Sequence, residues 1–293
     1  MNYGIANNSG KPDTEKSFAM LSCALKNGVT SLDTARGYGT SEDVLGDFFA
    51  TKKPENIPFI TSKFIVGLPE PATNKEVEAA IFESVETSLE KLGVKLDCFM
   101  HHRAHEITFY GDIVQKTLEK LIKENYISMA GVSIYTPEDL DTMFKYDIYQ
   151  ATQIPMSLFD QKLIAKGYLD ALKERDIIVF VRSVFLQGLF FLEPDSITDP
   201  ILAEYAKPHI VKLREFCKKA NMSIAEFAIS FIRDVPGVTS LVLGADTEEQ
   251  VLQNINYMNA PALSNEMRKE VYEAFSDVNL TKIMEVLSIP KAQ

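Results

Sequence analysis

Residues 31–39 read Ser-Leu-Asp-Thr-Ala-Arg-Gly-Tyr-Gly, SLDTARGYG. A short apolar run follows a helix-like segment, ends on Asp33 and gives way to a loop that carries Tyr38 between Gly37 and Gly39. Outward from this stretch the same alternation recurs. β-prone runs at 30–33, 58–63, 96–101, 127–133, 149–154, 177–182 and 239–243 are separated by helical patterns. The clearest helix sets Val77, Ile81, Val85, Leu89 and Leu92 at three- and four-residue steps and ends at Gly93. Thr136 before Pro137, Ser223 with Glu226 and Thr247 with Gln250 mark further helix starts, the last two as capping boxes.

Strand-helix alternation over 293 residues predicts parallel strands joined by right-handed crossovers, in a doubly wound sheet or a (β/α)8 barrel. No G-x-G-x-x-G follows an early strand, which counts against the dinucleotide-binding doubly wound sheet. A single domain over residues 1–293 is expected, because no linker, low-complexity segment or repeat divides the chain. Residues 191–208, with three prolines, read as a long functional loop.

Lys and Arg total 30 against 41 Asp and Glu, a net charge of -11 that argues against a nucleic-acid partner, since phosphate binding needs clustered cations. Cys23, Cys98 and Cys217 are odd in number and far apart, with no C-x-x-C, so neither a disulfide framework nor a zinc knuckle is indicated and a reducing cytoplasm is the expected location. No apolar run reaches the roughly 18 residues of a membrane span.

In a parallel barrel the reacting groups gather where strands end at their C-terminal face. Asp33, Lys63 and His102 each end or follow a strand, and Tyr38 lies in the loop after the first. A lysine held beside an aspartate stays charged and favours the phenolate of a nearby tyrosine, while a histidine can donate to a substrate carbonyl. Together the four suit protonation of a developing alkoxide. Other assignments compete for the same residues. Asp33 and Lys63 also suit a structural ion pair, His101, His102 and His105 a metal site, Lys63 a Schiff base, and Tyr38 a packed aromatic between two turn glycines.

From about Tyr3 to Tyr257 the chain resembles the aldo-keto reductases. SLDTARGYG is similar to that family's strand-end Asp and catalytic Tyr, FITSKF to its Lys strand, and LEKLGVKLDCFMHHRA to its helix and His strand. LEKLIKENYISMAGVSIYTPEDL, TQIPMSLFD, RSVFLQGLF and PGVTSLVLGADTEEQVLQNI continue the match in family order. The resemblance implies a (β/α)8 TIM barrel and a catalytic tetrad of Asp33, Tyr38, Lys63 and His102, with Tyr38 as proton donor. His102 is preferred to His101 because the family's histidine lies five residues after the aspartate of the preceding L-D pair, here Asp97, and alternation along the strand would turn His101 the other way. The family's opening strand, which would precede Tyr3-Gly4, is not found, so the barrel is expected to lack its first strand at the N-terminus.

The resemblance also implies NADP(H), possibly NAD(H), as cofactor. Ser133 and Gln153 match the residues that hold the nicotinamide amide, with Ile134 in place of the usual Asn. Arg182 stands where a Tyr often stacks on the ring. Ser183, Gln187 and Gly188 match the pyrophosphate loop, while Gly244, Ala245, Thr247, Gln250 and Asn254 match the adenosine end. Gly244 and Gln250 replace the basic clamp on the 2′-phosphate, so discrimination against NAD(H) should be modest. The implied function is reduction of an aldehyde, ketone or sugar carbonyl, with a small-molecule substrate and no metal. A cofactor-binding but weakly active or regulatory member is the alternative.

Overall fold

The computed structural model describes residues 12–288. Seven strands follow one another in the sheet in chain order. They are β1 (Ser31–Asp33), β2 (Phe59–Phe64), β3 (Leu96–His101), β4 (Ile127–Ser133), β5 (Tyr149–Pro155), β6 (Ile178–Arg182) and β7 (Ser240–Leu241). Each falls on a β-prone run of the sequence, and the β3 and β4 bounds coincide with the expected ones. β1 to β5 pair in parallel, with registers such as Asp33 opposite Thr61 and Ser133 opposite Gln153. Unbroken chain order is the arrangement of a (β/α)8 barrel and not of a doubly wound sheet, in which the order reverses. The expected position of an eighth strand, before Tyr3, lies outside the described residues.

The helices are α1 (Thr14–Lys26), α2 (Ser41–Lys52), α3 (Asn74–Leu92), α4 (Ile107–Lys123), α5 (Pro137–Met143), α6 (Lys162–Ala165) and α7 (Tyr168–Glu174), then α8 (Pro200–Tyr205), α9 (Lys207–Ala220), α10 (Ile224–Arg233), α11 (Glu248–Met258), α12 (Asn265–Ala274) and α13 (Leu280–Leu287). The described chain divides into two compact units, one holding residues 13–154 and 170–180, the other holding residues 12, 155–169 and 181–288.

In the first unit, β2 and β3 are buried along almost their whole length, as parallel strands covered on both faces must be. α3 shows how the sequence sets a crossover helix. Thr73 and Glu76 close a reciprocal capping box, Val77, Ile81, Val85 and Leu92 form the buried stripe, and Gly93 ends the helix in the left-handed region at φ 64°. α2 meets α3 where Gly46 faces the backbone of Lys91, so closely that a methyl group there would collide with the Lys91 carbonyl. Gly46→Ala should therefore cost about 3 kcal/mol, the upper end of ordinary overpacking, because backbone and not a side chain has to move. A urea titration checks this, and wild-type stability would contradict the close helix contact.

In the second unit, Phe159, Phe190 and Phe275 form an aromatic core with centroid separations of 4.8 Å and 5.0 Å about Phe159. The segment 191–208, expected as a long loop, is instead largely helical. It contains a 3-10 turn (Pro194–Ser196), α8 capped by Asp199, and the start of α9. The three prolines that suggested a loop each sit in the first turn of one of these helices, where the missing N–H has no intrahelical partner to lose. The capping box expected at Thr247 is half formed. Thr247 accepts from the Gln250 amide, but the Gln250 side chain accepts from the Asp246 amide instead of closing on Thr247.

Candidate active site

The first unit brings Asp33, Tyr38, Lys63, His102 and Gln153 together. Lys63 is fully buried near the C-terminal end of β2, and its ammonium lies 2.6 Å from both Asp33 carboxylate oxygens and 2.9 Å from the Thr34 carbonyl. Three acceptors for an ammonium's three N–H donors compensate the desolvation of a buried cation. Its nitrogen stands 5.0 Å from the centre of the Tyr38 ring. The Tyr38 and His102 rings meet edge to face at 5.6 Å and 83°. His102 follows β3 and is held there by its amide, which donates to the Phe64 carbonyl at 2.8 Å.

The neighbouring His101 faces other partners. It is fully buried, stacks on Phe64 at 4.7 Å, and its Nε2 lies 2.7 Å from Glu106. Burial holds the imidazole below its usual pKa. Burial alone would raise Glu106, but His101 and the Gly67 and Val66 amides outweigh it and keep that carboxyl below its usual range. The His101-Glu106 pair therefore fastens the ends of β2 and β3 from behind. His105 is exposed. Among the described residues no group of three or more His, Cys, Asp or Glu is placed to hold a metal.

Ser133 and Gln153 are buried and face each other in register across β4 and β5. The Gln153 amide nitrogen donates to Asp33 at 2.8 Å, joining residues 120 positions apart. Ile134 is buried, with its amide on the Gln153 carbonyl.

In the second unit, Arg182 ends β6 and Ser183 begins a strained segment. Ser183, Leu186 and Gln187 all have positive φ (65°, 46° and 55°), and Gly188 follows at 88°. Each of the first three costs about 1–2 kcal/mol, strain of a kind that collects at ligand-holding loops. Gly244 and Ala245 lead into α11, whose N-cap is Thr247, and Asn254 reaches back to the Gly244 carbonyl at 3.0 Å. Asp246, Glu248 and Glu249 surround that helix start, and no Lys or Arg lies between Asp234 and Met267.

Buried carboxylates that escaped the sequence include Glu106, and Glu42 at the start of α2. Glu42 is 2% exposed, accepts from Ser62 Oγ at 2.6 Å and pairs with Arg36 at 2.9 Å. The available signal was its spacing, since Glu42 falls in step with Leu45, Gly46 and Phe49 on the apolar stripe of α2.

Seven strands in chain order, with a lysine, an aspartate, a tyrosine and a histidine assembled at the strand ends, define a parallel α/β protein of the barrel class. A model of the Aldo/keto reductase family matches residues 1–275, and the chain belongs to that family, whose members are oxidoreductases acting on carbonyls with NAD(P)H. It is similar to L-glyceraldehyde 3-phosphate reductase of Escherichia coli O157:H7, at 22% identity over 96% of this chain and 90% of that reductase. Its fold is that of an aldo-keto reductase from Bacillus halodurans in its holo form, with a TM-score of 0.75 at 21% identity over 89% of this chain and 87% of that one. An aldo/keto reductase from Klebsiella pneumoniae in complex with NADP and acetate has a TM-score of 0.67 at 19% identity, over 89% and 86% of the two chains. No helix among the described residues is long and apolar enough to cross a membrane.

Proposed function

We propose that this protein, acting as one domain, reduces a small aldehyde, ketone or sugar carbonyl to the alcohol, with Tyr38 as proton donor. One observation carries this: the Lys63 ammonium, pinned by Asp33, stands beside the Tyr38 ring, with His102 edge-on to the same ring. A nicotinamide dinucleotide, when bound, would be the source of the hydride that the reduction requires. Tyr38 gives its hydroxyl proton to the carbonyl oxygen as negative charge develops there. Lys63, whose ammonium stands 5.0 Å from the ring centre, stabilises the phenolate left behind by Coulomb attraction. Asp33 holds Lys63 in place, and His102 hydrogen-bonds and orients the carbonyl.

The residues present fit such a cofactor. Within the first unit Ser133 and Gln153 offer buried polar groups suited to a carboxamide; within the second, taken by itself, the strained turn at Ser183, Gln187 and Gly188 suits a diphosphate and the start of α11 at Gly244, Ala245 and Thr247 offers backbone amides, with Gln250 and Asn254 on the same helix. In the second unit Arg182 supplies a planar cation of the kind that stacks on aromatic rings. Asp246, Glu248 and Glu249 oppose the extra charge of a 2′-phosphate. NADPH and NADH should thus bind with Kd values within about tenfold of each other, because the charge-assisted bonds that give a basic clamp its strength are absent. Fluorescence titration of both reduced nucleotides checks this; a hundredfold preference for either would contradict it.

The function itself is tested by following nucleotide oxidation with methylglyoxal, glyceraldehyde and nitrobenzaldehyde as probe carbonyls. Turnover on at least one is expected. Tight nucleotide binding with no turnover on any would favour a regulatory or weakly active role, for which Ile134 and the engagement of Gln153 by Asp33 are the supporting observations.

A further inference from the structure

Tyr38 does not sit on a strand. It lies on the loop between β1 and α2, and a proton donor on a loop needs something to hold that loop. Several bonds join the loop to β2: the Thr34 amide donates to the Thr61 carbonyl at 2.8 Å and the Arg36 amide to the Lys63 carbonyl at 3.1 Å. Inside the loop Thr34 Oγ1 donates to Ser41 Oγ at 2.8 Å, the Tyr38 amide donates to the Ala35 carbonyl and the Ser41 amide to the Tyr38 carbonyl. Glu42 stands just past the end of this loop. A buried carboxylate is costly unless its oxygens are paired, and each oxygen of Glu42 has a partner from a different side of Tyr38. Oε2 takes the guanidinium of Arg36, two residues before Tyr38, and Oε1 takes the hydroxyl of Ser62, the residue before Lys63. Alternation along β2 turns Ser62 to the opposite face from Lys63, so Glu42 grips from behind the same strand that presents the ammonium to Tyr38.

We propose that Glu42 is a positioning residue for carbonyl reduction, which through Arg36 and Ser62 fixes the loop carrying Tyr38 against β2 at the distance from Lys63 that proton transfer needs. This rests on Tyr38 being the proton donor. Glutamine at position 42 keeps an acceptor for Ser62 but gives up the charge that holds Arg36, and alanine gives up both.

The test measures kcat, KM and nucleotide Kd for Glu42→Gln, Glu42→Ala and Arg36→Met, with Tyr38→Phe in parallel, using nitrobenzaldehyde or whichever probe carbonyl wild type turns over. Assays run well below each melting temperature, and rates are divided by the concentration of nucleotide-binding sites. The expected result is a kcat about tenfold lower for Glu42→Gln and Arg36→Met, and lower still for Glu42→Ala, with nucleotide Kd within about twofold of wild type. A merely structural role would lower the melting temperature and leave kcat per folded molecule unchanged, and that result overturns the proposal. Should the Glu42 variants or Arg36→Met fail to fold, Arg36→Lys decides, since it keeps a cation beside the buried Glu42 while giving up the guanidinium that fixes the loop, and a wild-type kcat there overturns the proposal. Full activity in Tyr38→Phe would remove the premise. Loss of activity there with wild-type kcat in the other variants would overturn only the role of Glu42.

Discussion

Tyr38→Phe is expected to lower the rate of carbonyl reduction by at least about 100-fold, the scale of a lost general acid, while nucleotide affinity and melting temperature stay near wild type. The substitution removes one oxygen and keeps the ring, so the edge-to-face contact with His102 and the position of the Lys63 ammonium over the ring remain available. Tyr38 is only partly buried, and the loop around it is held by backbone bonds and by side chains other than its own. The loss should therefore fall on kcat. An unchanged rate would show that the proton comes from elsewhere, leaving Tyr38 as a packed aromatic between two turn glycines.

Lys63→Met should reduce both activity and stability, and the two losses can be separated. Lys63 is fully buried and its partner Asp33 is 18% exposed, so removing the ammonium leaves a mostly buried carboxylate to which the Gln153 amide still donates. Breaking a buried pair from one side costs roughly 3–5 kcal/mol, and the partial exposure of Asp33 places this case near 3. Turnover should fall at least as far as in Tyr38→Phe, because no cation would face the phenolate. Adding Asp33→Asn removes the stranded charge, so the double variant should regain much of the stability and none of the activity. Urea titrations and steady-state rates on the three variants check this. A double variant as unstable as Lys63→Met would mean that the pair is not coupled; one that recovers turnover would rule out Lys63 as the charge beside Tyr38.

How these residues come together was partly legible in the sequence. β3 and β4 carry long, buried β-prone runs bounded by turns, and both ends of each were readable. β1 and β7, three and two residues long, were also located, although the apolar runs around them extend further than the strands. Asp33, Lys63 and His102 were legible because strand ends can be read from local pattern, and the choice of His102 over His101 followed from the family's spacing after Asp97, with alternation along the strand in support. Three features were not legible. The Gln153-Asp33 bond joins β5 to β1, and no local pattern encodes a contact across 120 residues. Prolines in the first turns of short helices resemble loop prolines, since the difference lies in which N–H groups already lack partners. Glu42 and Glu106 look like surface acids, and only the positions of Ser62, Arg36 and His101 in space make their burial affordable.

The central claim, a carbonyl reductase whose proton comes from Tyr38, is tested most directly by measuring the alcohol formed per nucleotide oxidised, on the same probe carbonyls, by wild type and by Tyr38→Phe. One alcohol per nucleotide from wild type, and a loss of at least about 100-fold in the rate of both in Tyr38→Phe, is the predicted result. Nucleotide binding without alcohol from wild type on any probe, or equal alcohol production by the two proteins, would contradict it.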